Sequence, residues 1–562
     1  MVWNLLIGGA AGQGIDTTSA VLEKLFKQAG YFVFSSSDFM SRIRGGHNFT
    51  LIRFGSKAIT SHSMKLDALI AMNQETIELH REQLSDHGVI LCDSALQTND
   101  PRAVRINMQQ IAKDLGNPRV SGSVAIGAIL GLFHLDMSNV KSVLPLFVPA
   151  AFVEVNQKAV ESGYQGVKPH FTGKPGSFSD WMILSGNEAL ALGALAAGMR
   201  FYSAYPMSPS TSIMEYLAAK SQLCGVVVEQ AEDEIAAINM AIGASFAGVR
   251  AMTATSGGGF CLQTEGLGLA GMTEVPLVVA DIQRPGPATG LPTRTEQSDL
   301  KFVISAAQGE FPRMVIALRD HQDCFYQTLR AFSIAERFRI TVILLSDQYL
   351  ADASATVKPF ELDIPDLSRD ESANFSSSGH AKTGYASYRL TADGVSPRLY
   401  PGNPDHFVAA DSDEHDETGM ITESADVRRQ MMDKRLRKMD KLKLELQEPL
   451  FLGAKSCKIL LIAWGSMKGP LTEALARLNH DQPKTYGALV FGDIFPLPVE
   501  RIQKFAKTAK CIINVEQNAT GQLAGLVREY TGIECRYSVL KYDGRQLTGE
   551  EIASRIKSEV DK

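Results

Sequence analysis

Cysteine is scarce and scattered in this 562-residue chain, and no two cysteines form a CxxC pair. The seven cysteines are Cys92, Cys224, Cys261, Cys324, Cys457, Cys511 and Cys535. Iron–sulfur clusters and structural zinc sites need closely spaced thiolates, so the pattern argues against either group being held by this chain alone. An odd, dispersed set is typical of buried free thiols in a reducing compartment.

Long apolar runs and a basic amino-terminal segment are also missing. No stretch approaches the length of a membrane span, and MVWNLLIGGAAG has no basic residue before its apolar ones. The net charge of −6 gives no reason to expect nucleic acid as a partner. We therefore expect a cytoplasmic protein that binds neither membranes nor nucleic acid.

The chain also lacks two patterns that hold phosphate groups. It has no GxxxxGK followed by Ser or Thr, and no GDG followed at a distance by the Asn that completes a Mg²⁺–diphosphate site. A large phosphorylated cofactor would therefore need its metal from another chain.

Strand and helix signals alternate over most of the length, which predicts α/β domains with doubly wound sheets. In the first segment this alternation favours a parallel sheet. We expect three such domains, at 1–175, 176–354 and 455–562, joined by a connector at 355–454.

The connector contains an acidic run, AADSDEHDETG, and a basic helix at 424–447. The spacing of its apolar residues predicts one buried stripe, formed by Met432, Leu436, Met439, Leu442 and Leu446. Its many Lys and Arg residues could form a phosphate-binding surface, but a solvated helix face is the more common case, and we favour it.

Two motifs near the amino terminus could bind anions. GGAAGQG places Gly9, Gly12 and Gly14 at a strand-to-helix turn, where backbone N–H groups can approach a phosphate. The spacing is not the GxGxxG of dinucleotide-binding sites, so the motif does not specifically predict nicotinamide binding. A turn without a ligand, or a contact with the nucleotide part of a larger cofactor, explains it equally well. SRIRGGHN contains Arg42, Arg44 and His47, which suit a carboxylate or a phosphate, or form a basic turn in solvent.

Four unusual loops follow predicted strands in the middle of the chain. They are YPMSPST, a stiff turn with two prolines; the acids before an apolar helix that opens with Glu234; TSGGG; and PGPATGLPTRTEQSD. Ligands bind at the carboxyl edge of such sheets, so these loops predict one site. A carboxylate at a buried helix start needs a partner, such as a bound ring nitrogen, although simple helix-dipole compensation is the alternative. Arg294 is suited to clamping a substrate carboxylate.

These motifs resemble the α subunit of a 2-oxoacid:ferredoxin oxidoreductase with a γ-type domain fused in front, closest to the 2-oxoglutarate branch. YPMSPST is similar to the family's YPITPSS, with Ser208 in place of its threonine, and EDEIAAINMAIGA and QRPGPATGLPTRTEQSDL are similar to its next helix and substrate loop. GGAAGQG and SRIRGGHN resemble the γ-type domain. DGVSPRLYPG, EHDETG and the KRLRK helix resemble the connector.

The resemblance implies a shared thiamine diphosphate, whose aminopyrimidine half binds to this chain. It also implies that a β subunit supplies the diphosphate site, Mg²⁺ and a 4Fe–4S cluster, that ferredoxin accepts electrons, that coenzyme A accepts the acyl group, and that the assembly is an (αβ)₂ heterotetramer. This chain itself would hold no metal. The reaction would convert 2-oxoglutarate to succinyl-CoA and CO₂, possibly in reverse.

Glu234 is the expected catalytic residue, through a hydrogen bond to the pyrimidine ring nitrogen. Ser208 and Arg294 are expected to bind the substrate, and Arg42, Arg44 and His47 to reach its distal carboxylate or coenzyme A phosphates. The residues expected to contact the cofactor are Tyr205, Pro206, Met207, Glu234, Thr255, Ser256, Gly257, Gly12 and Gly14.

Three alternatives stay open. The nearest is the same chemistry on pyruvate or another 2-oxoacid, because much of the pocket would belong to the β subunit. A nicotinamide-dependent oxidoreductase built on GGAAGQG and a non-catalytic binding subunit are the others.

Overall fold

The computed structural model describes residues 1–39, 46–361 and 385–560. The chain divides into two compact units. The first comprises Met1–Ser185, Asp352–Pro359 and Thr548–Glu550. The second comprises Gly186–Ala351, Phe360–Leu547 and Glu551–Lys562.

The first unit is built around an eight-stranded sheet with the order β6-β5-β4-β1-β3-β2-β14-β7. Its strands are β1 (Val2–Ala10), β2 (Phe32–Phe39), β3 (His47–Gly55), β4 (Leu66–Ala71), β5 (Leu84–Asp93), β6 (Ala103–Ile106), β7 (Met182–Ser185) and β14 (Ser354–Val357). Its helices are α1 (Ile15–Gln28), α2 (Gln74–His80), α3 (Met108–Asp114), α4 (Ser121–Leu132), α5 (Val140–Val143) and α6 (Val153–Gln165).

This first sheet is mixed, so the expectation of a parallel sheet is wrong. Strand β4 is parallel to both β1 and β5, and β5 is parallel to β6. Strand β3, in contrast, is antiparallel to both β1 and β2. The reason is local, because β2 ends at Phe39 and β3 begins at His47, and a connection of this length is too short for the crossover that a parallel pair requires. Strand β14 is also antiparallel to both of its neighbours, β2 and the edge strand β7.

The second unit contains two further sheets. Its strands are β8 (Phe201–Ala204), β9 (Val227–Gln230), β10 (Ala251–Thr255), β11 (Leu277–Gln283), β12 (Arg313–Ala317), β13 (Thr341–Asp347), β15 (Leu450–Gly453), β16 (Ile459–Trp464), β17 (Tyr486–Phe491), β18 (Asp493–Phe495), β19 (Cys511–Glu516) and β20 (Tyr537–Leu540). Its helices are α7 (Gly186–Ala196), α8 (Thr211–Cys224), α9 (Glu234–Phe246), α10 (Gly257–Met272), α11 (Leu300–Ser305), α12 (His321–Phe338), α13 (Gln348–Asp352), α14 (Ala425–Leu442), α15 (Lys468–Asp481), α16 (Glu500–Ala506), α17 (Gln522–Thr531) and α18 (Gly549–Val560).

The larger of these two sheets has the order β18-β12-β13-β11-β10-β8-β9. Its strands are parallel except β18, which is antiparallel to β12. The smaller sheet has the order β15-β17-β16-β19-β20 and is parallel apart from β15. The α/β fold class expected from the sequence is confirmed.

One hydrophobic core joins the two sheets of the second unit. It combines residues of α9 and β11, such as Ile238 and Val279, with Trp464 and Phe491 of the smaller sheet, all of them fully buried. The carboxyl ends of strands from both sheets are therefore held in fixed positions within one unit.

Helix α14 packs its basic residues inward, which corrects the expected apolar stripe and solvated basic face. Lys434, Arg435 and Lys438 are at most 1% exposed, whereas Leu436 is 38% exposed. Lys434 and Lys438 form ion pairs of 2.6 and 2.5 Å with the buried carboxylate of Glu274. Burial alone would raise the pKa of Glu274, but the two ammonium groups reverse this and hold its pKa below the ordinary value. Charge pairing thus decides which face of α14 is buried.

Within the described ranges, no helix combines the length and the apolar character that a membrane crossing requires.

Replacing Glu274 should destabilise the second unit strongly. Glu274→Gln leaves Lys434 and Lys438 buried without a counter-charge, and we expect a loss of about 3–5 kcal/mol in the free energy of unfolding by denaturant. The matched control is Lys441→Met, which breaks the exposed pair with Asp393 on the same helix and should cost at most about 1 kcal/mol. Equal losses for the two variants would contradict this account.

Candidate functional site

Four loops leave the carboxyl ends of neighbouring strands in the larger sheet of the second unit. Residues 205–210 follow β8, residues 231–233 follow β9, Ser256 follows β10, and residues 284–299 follow β11. Since β8, β9, β10 and β11 are parallel and adjacent, these loops meet at one edge. The structure thus brings together the four segments that the sequence singled out.

Glu234 is the first residue of α9 and is only 3% exposed. The N-cap is Asp233, whose side chain accepts a hydrogen bond of 2.7 Å from the Ala236 backbone N–H. Because Asp233 carries out the capping, the Glu234 carboxylate is not needed for it. Within the described part of the chain, Glu234 Oε1 is buried and accepts no hydrogen bond. A buried acceptor of this kind calls for a donor from a bound group.

The first turn of α10 leaves space beside Glu234. A Cβ atom at Gly259 would lie 2.5 Å from Glu234 Oε1 and 2.1 Å from Thr255 Oγ1. Thr255 and Ser256 are completely buried, and Ser256 Oγ has no hydrogen-bond partner among the described residues. Glycine at 259 is therefore the residue that lets the two polar side chains approach the helix.

The proline loop is fixed by hydrogen bonds to its backbone. The Ser208–Pro209 peptide bond is cis. Asn187 Nδ2 donates to the Pro209 carbonyl at 2.9 Å, and Arg284 Nη1 donates to the Ser208 carbonyl at 2.7 Å. On the inner side, Met207 Sδ lies 3.8 Å from Thr255 Oγ1. The loop therefore presents Met207 toward the TSGGG segment.

The loop after β11 is tied to the smaller sheet. The Gln297 backbone N–H donates to the Gln517 carbonyl at 2.8 Å, and Gln297 Nε2 donates to the Trp464 carbonyl at 3.1 Å. The backbone N–H of Thr295 donates to the Gly544 carbonyl at 3.3 Å, and Arg294 is half-buried just before it. The Arg294 backbone N–H donates to the Leu291 carbonyl at 3.1 Å, within the same loop.

Asp347, at the end of β13, supports the same rim. Its Oδ2 accepts from Ser466 Oγ at 2.5 Å, and its Oδ1 accepts from the Leu350 backbone N–H at 3.0 Å. Complete burial raises the pKa of Asp347 to about 6, although these hydrogen bonds oppose the shift.

The remaining predicted site residues belong to the first unit. Gly12 and Gly14 have φ angles of 92° and 78°, in the left-handed region that favours glycine, and Gly14 is the N-cap residue of α1. His47 is 7% exposed, and its Nε2 lies 2.8 Å from His80 Nε2. His47 Nδ1 is buried and has no hydrogen-bond partner among the described residues. Arg42 and Arg44 lie outside the described residues.

Helices α9 and α10 expose apolar side chains on their outer faces, although the apolar sequence of α9 predicts a buried helix. Ile235 and Met240 of α9 are 50% and 41% exposed, and Leu262 of α10 is 49% exposed. Tyr205 of the proline loop is 39% exposed. The single chain therefore leaves apolar surface uncovered next to Glu234.

Two residues that position the site were missed in the sequence. Arg284 comes directly after β11 and holds Ser208, and Gly259 leaves room for Glu234. The sequence signal that could have identified Arg284 is its position, because it is a cation directly after the carboxyl end of a buried strand. In the described ranges, no group of three or more His, Cys, Asp or Glu side chains is arranged to hold a metal ion.

Comparison with known proteins identifies the class of protein to which this fold and site belong. Residues 192–434 match the family model "Pyruvate flavodoxin/ferredoxin oxidoreductase, thiamine diP-bdg", and residues 4–166 match "Pyruvate ferredoxin/flavodoxin oxidoreductase". The chain is thus similar to thiamine-dependent oxidoreductases over most of its length.

Full-length relatives specify the family further. A 2-oxoacid:ferredoxin oxidoreductase subunit alpha from Sulfolobus sp. is 32% identical over 98% of this chain and 96% of its own length. The 2-oxoglutarate synthase subunit KorA of Archaeoglobus fulgidus is 32% identical over 67% of this chain and 99% of its own length. The chain belongs to the 2-oxoacid:ferredoxin oxidoreductase family, whose members are oxidoreductase enzymes. The family membership predicted from the sequence is therefore confirmed.

A solved structure has the same fold. It is the 2-oxoglutarate:ferredoxin oxidoreductase from Magnetococcus marinus with 2-oxoglutarate, coenzyme A and succinyl-CoA bound. Its chain is 31% identical to this one, superposes with a TM-score of 0.91, and the match covers 100% of this chain and 99% of that chain.

Adding one methyl group at Gly259 should damage the site, whereas the same change at Gly258 should not. Gly259→Ala forces Thr255 or Glu234 to move, at a cost of about 1–3 kcal/mol. At Gly258 the nearest atom to a new Cβ is 3.8 Å away, so alanine there only improves helix propensity. We expect a lower melting temperature for Gly259→Ala than for Gly258→Ala, measured on the same chain by differential scanning calorimetry. The reverse order would contradict the packing described here.

Proposed function

We propose that this chain is the α subunit of a 2-oxoglutarate:ferredoxin oxidoreductase, which forms succinyl-CoA and CO₂ and passes electrons to ferredoxin. The observation that carries the proposal is the buried Glu234 carboxylate with an oxygen that accepts no hydrogen bond within the described chain. Family membership and the fold of the Magnetococcus marinus enzyme support the chemistry.

The residues present fit the aminopyrimidine half of thiamine diphosphate. The family model matched over residues 192–434 is described as thiamine diphosphate-binding. The orphaned Glu234 Oε1 is an acceptor for a ring N–H, and Gly259 keeps the adjacent space clear of a Cβ atom. Thr255, Ser256, Gly257, Met207, Tyr205 and Pro206 are the further residues that would line this half-site.

Thiamine diphosphate, when bound, supplies a carbon nucleophile and an electron sink for decarboxylating a 2-oxoacid. The task of Glu234 is to hold a proton at the pyrimidine ring nitrogen. Glu234 is the first residue of α9, and the positive end of a helix dipole stabilises a carboxylate that accepts such a hydrogen bond. Burial strengthens the interaction because water does not compete for the carboxylate.

Substrate binding is assigned to cations and hydroxyls at the same edge. Arg294 would clamp the 1-carboxylate, and Ser208 would hydrogen-bond the carbonyl region, while Arg284 fixes the Ser208 backbone. In the first unit, Arg42, Arg44 and His47 would reach the distal carboxylate or coenzyme A phosphates. Gly12 and Gly14 would contact a phosphorylated group through backbone N–H groups.

A partner subunit is part of the proposal. Relatives are named α subunits, and the apolar outer faces of α9 and α10 next to Glu234 need a cover. We assign to a β subunit the diphosphate site, Mg²⁺ and a 4Fe–4S cluster, in an (αβ)₂ heterotetramer in the cytoplasm. The buried Glu234 Oε1 and the exposed apolar faces of α9 and α10 are features expected of a chain that supplies one half of a shared site.

Removal of the Glu234 charge should abolish most catalysis without unfolding the chain. In the co-purified complex, Glu234→Gln should lower kcat with 2-oxoglutarate by about 100-fold or more, because the amide cannot hold the proton at the ring nitrogen in the same way. Glu232→Gln, in the same loop but exposed, is the matched control and should leave kcat unchanged. An unchanged kcat for Glu234→Gln would instead support a non-catalytic binding subunit.

Substrate choice should be visible in turnover of the complex with coenzyme A and an electron acceptor. We expect kcat/KM for 2-oxoglutarate to exceed that for pyruvate by at least about tenfold, since the distal carboxylate gains charged hydrogen bonds. His47→Ala and Arg42→Ala should raise the KM for 2-oxoglutarate or for coenzyme A. A preference for pyruvate would contradict the proposed substrate and support the pyruvate alternative. Unchanged KM values in the two variants would show that His47 and Arg42 do not bind substrate or coenzyme A.

A further inference from the structure

Two histidines of the first unit, His47 and His80, form a buried pair. His47 is the first residue of β3 and His80 is the last residue of α2, and they are 7% and 5% exposed. The 2.8 Å between His47 Nε2 and His80 Nε2 is a hydrogen-bond distance. A hydrogen bond between two neutral imidazole rings needs a proton on one of the facing nitrogens and a lone pair on the other.

Packing against β1 and Phe49 holds the two rings in this position. A Cβ atom at Gly8 would lie 3.1 Å from His47 Cε1, so the His47 ring lies directly on the backbone of β1. The ring centroid of Phe49 is 5.7 Å from that of His47 and 4.7 Å from that of His80, which it meets edge-on. The facing nitrogens are therefore kept in contact by the surrounding residues.

Gln83 determines the direction of the hydrogen bond between the rings. It lies three residues after His80, and its Oε1 is 3.3 Å from His80 Nδ1. An amide oxygen only accepts, so His80 carries its proton on Nδ1 and has a lone pair on Nε2. His47 Nε2 is then the donor to His80. Since a neutral imidazole has one N–H, His47 Nδ1 has a lone pair.

The surroundings favour the neutral form of both rings. Burial lowers the pKa of His47, and the charges of Glu75 and Asp38 oppose this shift without reversing it. Burial also lowers the pKa of His80, where the hydrogen bond from Gln83 and the charge of Asp38 act in the opposite direction and the charge of His47 adds to the lowering. The pair therefore has one proton on each ring at neutral pH.

The lone pair of His47 Nδ1 has no donor in the described ranges of the chain, and the atom is buried. A buried acceptor of this kind calls for a hydrogen-bond donor, such as a hydroxyl or an amide N–H. An ionised carboxylate has acceptor oxygens only, so it does not fit this nitrogen while the ring is neutral.

We propose that His80 is a positioning residue that, together with Gln83, fixes His47 in the Nε2–H tautomer, so that His47 Nδ1 accepts a hydrogen bond from a hydroxyl or an amide N–H of a bound ligand. The identity of the ligand rests on the proposed function, but the tautomer does not. Ionised 2-oxoglutarate has no hydrogen-bond donor, whereas coenzyme A carries hydroxyl and amide groups. This narrows the assignment of His47 to a hydroxyl or amide group of coenzyme A.

Nitrogen NMR of the full chain, labelled with ¹⁵N in the histidine rings, tests the tautomer. In the wild type, His47 Nδ1 should have the chemical shift of an unprotonated nitrogen and Nε2 that of an N–H, with the signals identified by their loss in His47→Gln. His80→Phe keeps a ring in place but removes the acceptor, so His47 should populate both tautomers. His80→Gln supplies an amide oxygen as acceptor and should restore the single tautomer.

The exposed His170, whose Nε2 lies 3.1 Å from the His87 carbonyl, is the internal control, and its signals should be the same in every variant. A proton on His47 Nδ1 in the wild type would overturn the proposal, and so would a wild-type His47 spectrum in His80→Phe. If His80→Phe does not fold, the wild-type spectrum and that of His80→Gln decide the question.

In the assembled complex, His80→Phe should raise the KM for coenzyme A by about fivefold, which corresponds to one hydrogen bond, and should leave kcat and the KM for 2-oxoglutarate within about twofold. His80→Gln should restore the KM, and His170→Phe should leave it unchanged. A rise in the KM for 2-oxoglutarate alone would overturn the ligand assignment. If the NMR results hold while Glu234→Gln remains active, the proposed function fails and the positioning role of His80 stands.

Discussion

A carboxylate held at a buried helix start, with one oxygen that accepts no hydrogen bond from any described residue, is the constraint on which the candidate site depends. Glu234 can occupy this position because Asp233 caps α9 in its place and because Gly259 removes a clash from α10. The positive end of the α9 dipole makes the buried charge tolerable. These features cost stability in the isolated chain, and they become favourable when a bound ring supplies the missing donor.

The rim of the site depends on the contact between two sheets of the same unit. Gln297 forms hydrogen bonds with the backbone of both Trp464 and Gln517, and the Thr295 backbone N–H donates to the Gly544 carbonyl, so the loop after β11 is held at two points. A long loop with prolines and glycines would otherwise sample many conformations. The smaller sheet therefore supports the substrate loop. It thus contributes to the site, although the proposed cofactor contacts lie at the edge of the larger sheet.

Particular residues show where sequence reasoning succeeded and where it failed. The four loops at the carboxyl edge and the position of Glu234 at a helix start followed from local patterns, since strand ends, prolines and acids are visible along the chain. The buried face of α14 did not, because Lys434 and Lys438 are buried only by pairing with Glu274, about 160 residues earlier in the chain. The hydrogen bond from Arg284 to the Ser208 carbonyl is equally non-local.

The sequence by itself determined the α/β class, the family and the identity of the acid at the head of α9, because these depend on short motifs and on periodicity within single elements. Only the tertiary structure decided which charges are buried, which guanidinium reaches the proline loop, and that Asp299 lies against Gly257 at the start of α10. The physical reason is that burial and ion pairing arise between segments distant in sequence, and no local pattern encodes which segments will meet.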